Sequence, residues 1–231
     1  MLQEKRMRKI VLLTLPGLIA LLLNGCGITR SGLGAPLNGS GNVTTEPREV
    51  GSFTAIDIAG VGEVVITQGE AESLTVETDD NLQASVLSDV RGATLHLGMK
   101  PDVGMNSVTR MVFNVTVKDL TQITLSGAAV VSVRDLSGDN LTVDHSGAGS
   151  ITAAGTVNAQ RVTLSGAGSY DGAGLASDQA TVDLSGLGSV VVQVRERLDA
   201  TISGAGDIEY IGSPELHQQI SGLGAIQQRA P

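Results

Sequence analysis

The chain has 231 residues and a formal net charge of −9, with 30 Gly, one Cys, no Trp, two Tyr and two Phe. A collagen-like chain would need Gly at about every third position, a disulfide-stapled mini-protein would need paired cysteines, and 24 acidic against 15 basic residues would repel nucleic-acid phosphates; all three classes are excluded. With 41% hydrophobic and 17% charged residues the chain can bury a core and is not disordered. So much Gly with so few aromatics asks for an interior of thin aliphatic layers rather than bulky rings.

Residues 1–25 read as an address. Lys5, Arg6, Arg8 and Lys9 precede an apolar run from Ile10 to Leu23, too short for a transmembrane helix of about 20 residues. Leu23-Asn24-Gly25-Cys26 closes the three-part form of a secretory signal. The segment resembles a bacterial lipoprotein signal, in which a lipobox directs lipid attachment to the Cys and cleavage just before it. That resemblance implies a membrane anchor at Cys26 and export to the cell envelope, at the outer membrane or the cell surface. The alternative is a plain secreted protein with a free or buried thiol. Removing the leader takes away four basic residues and one acid, leaving 11 basic and 23 acidic residues and a net charge of −12, so the mature domain should stand off an anionic lipid surface. Residues 26–52, rich in Gly, Ser, Thr, Asn and Pro without apolar periodicity, read as a flexible tether.

From residue 53 the pattern changes. Ile56-Asp57-Ile58 and Val64-Val65-Ile66 alternate as half-buried strands, and further strands are predicted at Leu74–Thr78, Leu82–Leu87, Ala93–Leu97 and Met111–Val117, with a loop over Lys100–Thr109. A repeat then takes over. Ser-Gly-x-Gly or a near copy begins at Ser126, Ser146, Ser165, Ser185, Ser203 and Ser221, at intervals of 20, 19, 20, 18 and 18 residues. Its corner residues are Gly127, Gly147 and Gly149, Gly166 and Gly168, Gly186 and Gly188, Gly204 and Gly206, and Gly222 and Gly224, with Ala129 replacing Gly in the first copy.

Alignment on the Ser gives columns. One residue before it stand Leu125, His145, Leu164, Leu184, Ile202 and Ile220; three before it stand Ile123, Val143, Val162, Val182, Ala200 and Gln218. Between them lie the wet positions Thr124, Asp144, Thr163, Asp183, Thr201 and Gln219, and five after the Ser come Val131, Ile151, Tyr170, Val190, Ile208 and Ile226. Each repeat is therefore predicted to hold two short strands around a Gly corner, where Gly admits close backbone approach. Such a unit cannot bury its apolar face alone, and stacking identical units does so. The expected fold is all-β: a parallel β-solenoid of 18–20-residue coils, right-handed by strand twist, rising about 4.8 Å per coil, behind a less regular N-terminal β region. Ile56 to Ile66, with Ala59 in the Ser place, reads as a degenerate seventh copy.

Phe53-Thr54-Ala55-Ile56, Gly60-Val61-Gly62, Val65-Ile66-Thr67-Gln68-Gly69, Leu74-Thr75-Val76-Glu77, Asp79-Asp80-Asn81-Leu82 and Leu125-Ser126-Gly127, followed by the repeated corners, together resemble the auto-transporter adhesin head GIN domain family of bacterial envelope proteins. The resemblance covers about Val50 to Gln228 and implies a β-helical domain at 53–228 with an adhesin-like role and no catalytic motif.

Candidate chemistry is sparse. His145 falls in an inward column, where a neutral imidazole filling a layer competes with a metal or catalytic role; His96 should face solvent. No Cys or second His stands at zinc spacing. A calcium ladder needs recurring carboxylates after the corner, and only Asp207 supplies one. Neither cofactor nor metal is expected. The reading is a non-catalytic envelope lipoprotein, binding a protein or glycan partner, with an open last coil that should either self-associate into a homo-oligomer or be capped from elsewhere. Its rivals are an envelope-stress or regulatory scaffold and a β-helical polysaccharide-active enzyme.

Overall fold

The protein, seen in a computed structural model, is described over residues 36–230. The leader 1–25, Cys26 and the following residues to 35 lie outside the described residues, and with them the signal, the lipidation and the first part of the tether. The strands are β1 (Leu37–Asn38), β2 (Val43–Arg48), β3 (Ala55–Ile58), β4 (Val61–Gln68), β5 (Ser73–Asp79), β6 (Val86–Arg91), β7 (Thr94–Met99), β8 (Met105–Ser107), β9 (Met111–Val117), β10 (Gln122–Leu125), β11 (Ala128–His145), β12 (Ala148–Leu164), β13 (Ala167–Leu184), β14 (Leu187–Ile202), β15 (Ala205–Ile211), β16 (Glu215–Ile220) and β17 (Ile226–Gln228).

From β10 onward the chain is a parallel β-solenoid. The column Ile123, Val143, Val162, Val182, Ala200, Gln218 and the column Leu125, His145, Leu164, Leu184, Ile202, Ile220 are each in register. Beyond the corner, Val131, Ile151, Tyr170, Val190, Ile208 and Ile226 are in register too. All are buried except in the last coil, and each buried aliphatic side chain is worth about 1.5–3 kcal/mol relative to an exposed one.

The two short strands expected per repeat are instead one continuous strand from corner to corner, of 18, 17, 18 and 16 residues in β11 to β14. Pairing with the neighbouring coil carries on through the far bend. Differences in coil length are absorbed there, at register shifts between Val133 and Leu136, Thr152 and Ala154, Gly172 and Ala176, and Ser177 and Gln179. The columns next to the Ser corner therefore stay aligned although the coils differ in length.

The degenerate copy is a true coil. Ile56 pairs with Ile123 and Ile58 with Leu125, while Val64 pairs with Val131 and Ile66 with Val133. After it the chain leaves the coil path and builds the layer beneath. β7 and β9 run parallel to β3 and β4, then β6 lies antiparallel on β7, β5 on β9 and β2 on β5.

Three local expectations are corrected here. Residues 26–52 are not tether throughout, because Val43–Arg48 forms β2 against β5. None of its residues is buried, so backbone pairing rather than an apolar stripe holds it, and its sequence carries no alternation. Leu82–Leu87 is not a strand: Leu82 N–H donates to Asp79 O at 2.9 Å, a 3-10 turn follows at Gln83–Ser85, and β6 begins at Val86. Within the Lys100–Thr109 loop, β8 pairs with β1.

The Asp79-Asp80-Asn81 motif ties this region together. The buried Asp79 accepts the N–H groups of Gly41 at 2.7 Å and Thr109 at 2.8 Å, and backbone hydrogen bonds, that of Thr109 first, hold its carboxyl below the usual carboxylate range. Asp80 accepts hydrogen bonds from Ser40 and Asn42, and Asn81 donates to Asn38 O at 2.8 Å.

Candidate binding face

The Ser-Gly corners are backbone devices. Ser146 and Gly147 both donate N–H to Leu125 O at 3.0 Å, and Ala148 donates to Gly127 O at 3.0 Å. The same three bonds recur at Ser126, Ser165, Ser185, Ser203 and Ser221. A Cβ on Gly127, Gly147, Gly166, Gly186, Gly204 or Gly222 would overlap the carbonyl of the glycine one coil earlier, and the second corner glycines Gly168, Gly188, Gly206 and Gly224 are equally tight, as is Gly149 against Ala129 O. The Ser side chains stand exposed at the rim. Between the glycines runs a ridge of Val61, Ala128, Ala148, Ala167, Leu187, Ala205 and Leu223, which the alignment on Ser did not single out.

The wet column proves longer than the repeat alone indicated, running in register from Asp57 through Thr124, Asp144, Thr163, Asp183 and Thr201 to Gln219. Beside it lies Ala55, Gln122, Thr142, Arg161, Thr181, Asp199 and His217, legible in the sequence as the position four before each Ser. Together they make a flat polar face along the coil stack. A shallow depression of about 370 Å³ opens on it, lined in part by Asn140, Thr142, Arg161, Gln179 and Thr181.

The acids on this face have partners. Asp57 faces His96 Nδ1 at 3.0 Å, Gln122 Nε2 donates to Asp144 at 3.1 Å, Arg161 stands 3.7 Å from Asp183, and Arg197 grips Asp199 at 2.9 and 3.0 Å. The Arg197 hydrogen bond holds the Asp199 carboxyl below its ordinary range. Asp144 and Asp183 lie two coils apart, roughly 10 Å, and each is engaged by its own partner, Gln122 and Arg161.

His145 sits 1% exposed between Leu125 and Leu164, and neither ring nitrogen has a hydrogen-bond partner. Burial pushes its pKa down, so it is a neutral imidazole in an apolar layer. Among the described residues no three His, Cys, Asp or Glu side chains cluster closely enough to hold a metal, and Asp207 accepts the Ala225 N–H of the next corner at 2.8 Å. Restoring the column with His145→Leu is expected to stabilise the protein by about 1–3 kcal/mol, the cost of a buried unsatisfied polar group. The unfolded histidine binds protons more readily, so as pH falls below about 6.5 the wild type loses stability that the variant keeps. Thermal melts of both proteins across pH 5–8 check this; parallel curves would refute it.

Three of the four aromatic residues, Phe53, Phe113 and Tyr170, are buried, so the face offers hydrogen bonds rather than stacking platforms. The sequence profile described as "Putative auto-transporter adhesin, head GIN domain" matches residues 52–214. The chain belongs to the head GIN domain family. Among solved structures, a putative adhesin from Bacteroides fragilis NCTC 9343 is 23% identical over 84% of this chain and 100% of its own, with a TM-score of 0.70. A putative adhesin from Parabacteroides merdae ATCC 43184 is 22% identical over 84% and 98%, with a TM-score of 0.52. A structure titled "Putative lipid binding protein" from Parabacteroides distasonis ATCC 8503 is 20% identical over 84% and 100%, with a TM-score of 0.53. At these identities the head GIN chain shares a fold with them. No curated protein matches it.

Proposed function

We propose that this head GIN protein is an exported envelope lipoprotein, anchored through Cys26, whose solenoid binds a glycan or protein partner on its polar face without catalysis. The carrying observation is that face: in-register Thr, Gln and Asp side chains over seven coils, whose carboxylates are hydrogen-bonded or ion-paired by His96, Gln122, Arg161 and Arg197 on a chain that is otherwise strongly acidic. Paired charges and hydroxyls suit an uncharged polar ligand, since each group can exchange hydrogen bonds without exposing a naked carboxylate. The adhesin naming of the family and the lipobox-like leader support the same reading.

Binding of the full chain to a panel of envelope glycans and matrix proteins tests it. Asp183→Lys on the face should weaken the captured ligand about tenfold or more, whereas Glu63→Lys, the same charge change on the exposed side of β4 beyond the corner, should leave it unaffected. Equal losses in both variants, or none, would refute the assignment of the face. Palmitate labelling abolished by Cys26→Ser is the outcome expected for the anchor.

A further inference from the structure

The two ends of the solenoid differ. At the N-terminal end the large sheet finishes in two guarded antiparallel strands: β2 carries Pro47 between Glu46 and Arg48, which pair at 3.3 Å, and β6 carries the Asp89–Arg91 ion pair at 2.7 Å. Proline and charge are the usual means of blunting a sheet edge. At the C-terminal end β16 pairs only with β14 and β17 only with β15 among the described residues. No Lys or Pro interrupts Glu215 to Gln228. Ile202 is fully buried, but its successor Ile220 is 45% exposed, and Leu223 is 78% exposed. Ile202 O receives two N–H groups from the next corner, and Ile220 O meets no such corner among the described residues.

We infer that this edge is a self-association surface, on which two copies pair head to head through antiparallel β16 strands. Three observations select a second copy. The last coil, Ser213 to Arg229, holds one acid (Glu215) and one base (Arg229), so two such ends meet without the repulsion that the rest of this acidic chain would impose. Among the described residues, the strands that end the sheet at the N-terminal side, β2 and β6, are guarded against head-to-tail stacking. The strand is also self-complementary: inward residues must oppose inward residues, and a register centred on Gln218 sets Leu216 opposite Ile220 of the second copy, Gln218 opposite Gln218 and Glu215 opposite Ser221. Only one face of each rod end is used, so the assembly closes as a two-fold dimer.

The test uses the full chain carrying Cys26→Ser, which removes its only cysteine. Sedimentation equilibrium should give a concentration-dependent dimer, Gln218→Lys should return it to monomer with an unchanged circular dichroism spectrum, and Gln218→Cys should form a disulfide-linked dimer on oxidation where Thr163→Cys does not. A monomer at the highest soluble concentration, an open series of masses, or a dimer indifferent to Gln218→Lys would each overturn the inference.

Discussion

Replacing Gly166 with alanine is expected to disrupt the coil stack, at a cost of about 3–5 kcal/mol, the top of the range for single substitutions. The reason is backbone against backbone. A Cβ there would overlap the Gly147 and Ser146 carbonyls, and the Gly147 carbonyl is held in place by the Ala167 N–H that it accepts at 3.0 Å. For a domain of this size the melting midpoint should fall by roughly 6–20 °C. Gly138→Ala is the control: a Cβ there meets nothing within 4 Å, so the variant should melt within a degree or two of wild type, about ±0.5 kcal/mol. If both substitutions cost the same, close stacking of the corners is not what fixes the coils.

The second large effect lies inside the coils. Tyr170 is fully buried in register with Ile151 and Val190. Its hydroxyl donates to Gln160 Oε1 at 3.1 Å, Gln160 Nε2 donates to Ser177 Oγ at 2.8 Å, and Ser177 Oγ donates to Gln193 O at 2.9 Å. Burial raises the phenol pKa well above its ordinary value, so it remains a donor. Tyr170→Ala should cost about 3–5 kcal/mol through the cavity it leaves. Tyr170→Phe should cost about 1–3 kcal/mol, since Gln160 loses a donor in a dry interior, and adding Gln160→Leu should recover part of that by removing the acceptor too. Urea denaturation of the four proteins would separate packing from hydrogen bonding; a Phe variant as stable as wild type would show that the network contributes nothing.

The sequence announces the solenoid through what must repeat. Leu125 to Ile202 and Val131 to Ile208 are buried by their copies above and below, so each coil repeats the same apolar choice and the columns align by eye. The corner glycines recur because every one leans on its predecessor. What did not repeat was harder to read. β2 is an edge strand with little to bury, Leu82 ends a turn pinned by Asp79, and Gln160 and Ser177 point inward only because Tyr170 awaits them. The polar face was half legible: the Asp–Thr column adjoined the Ser corner, but Arg161, which faces Asp183 from the adjacent coil, lies on the neighbouring position and gains meaning only once the coils are stacked.

The excursion between β4 and β10 also ranks the coils by how they assemble. Ile123 finds Val143 after 20 residues, whereas Ile56 must wait for Ile123 across about 67 residues, which costs about 1 kcal/mol more in loop-closure entropy. Among the parallel coils, folding should therefore start with β11 to β14, where every contact is one coil away, and the joining of β3 and β4 to β10 and β11 should come last, while the β6–β7 hairpin closes locally on its own. A chain emerging N-terminus first would present β3 and β4 well before β10 and β11, so their edges toward the solenoid remain unpaired until the first regular coil appears.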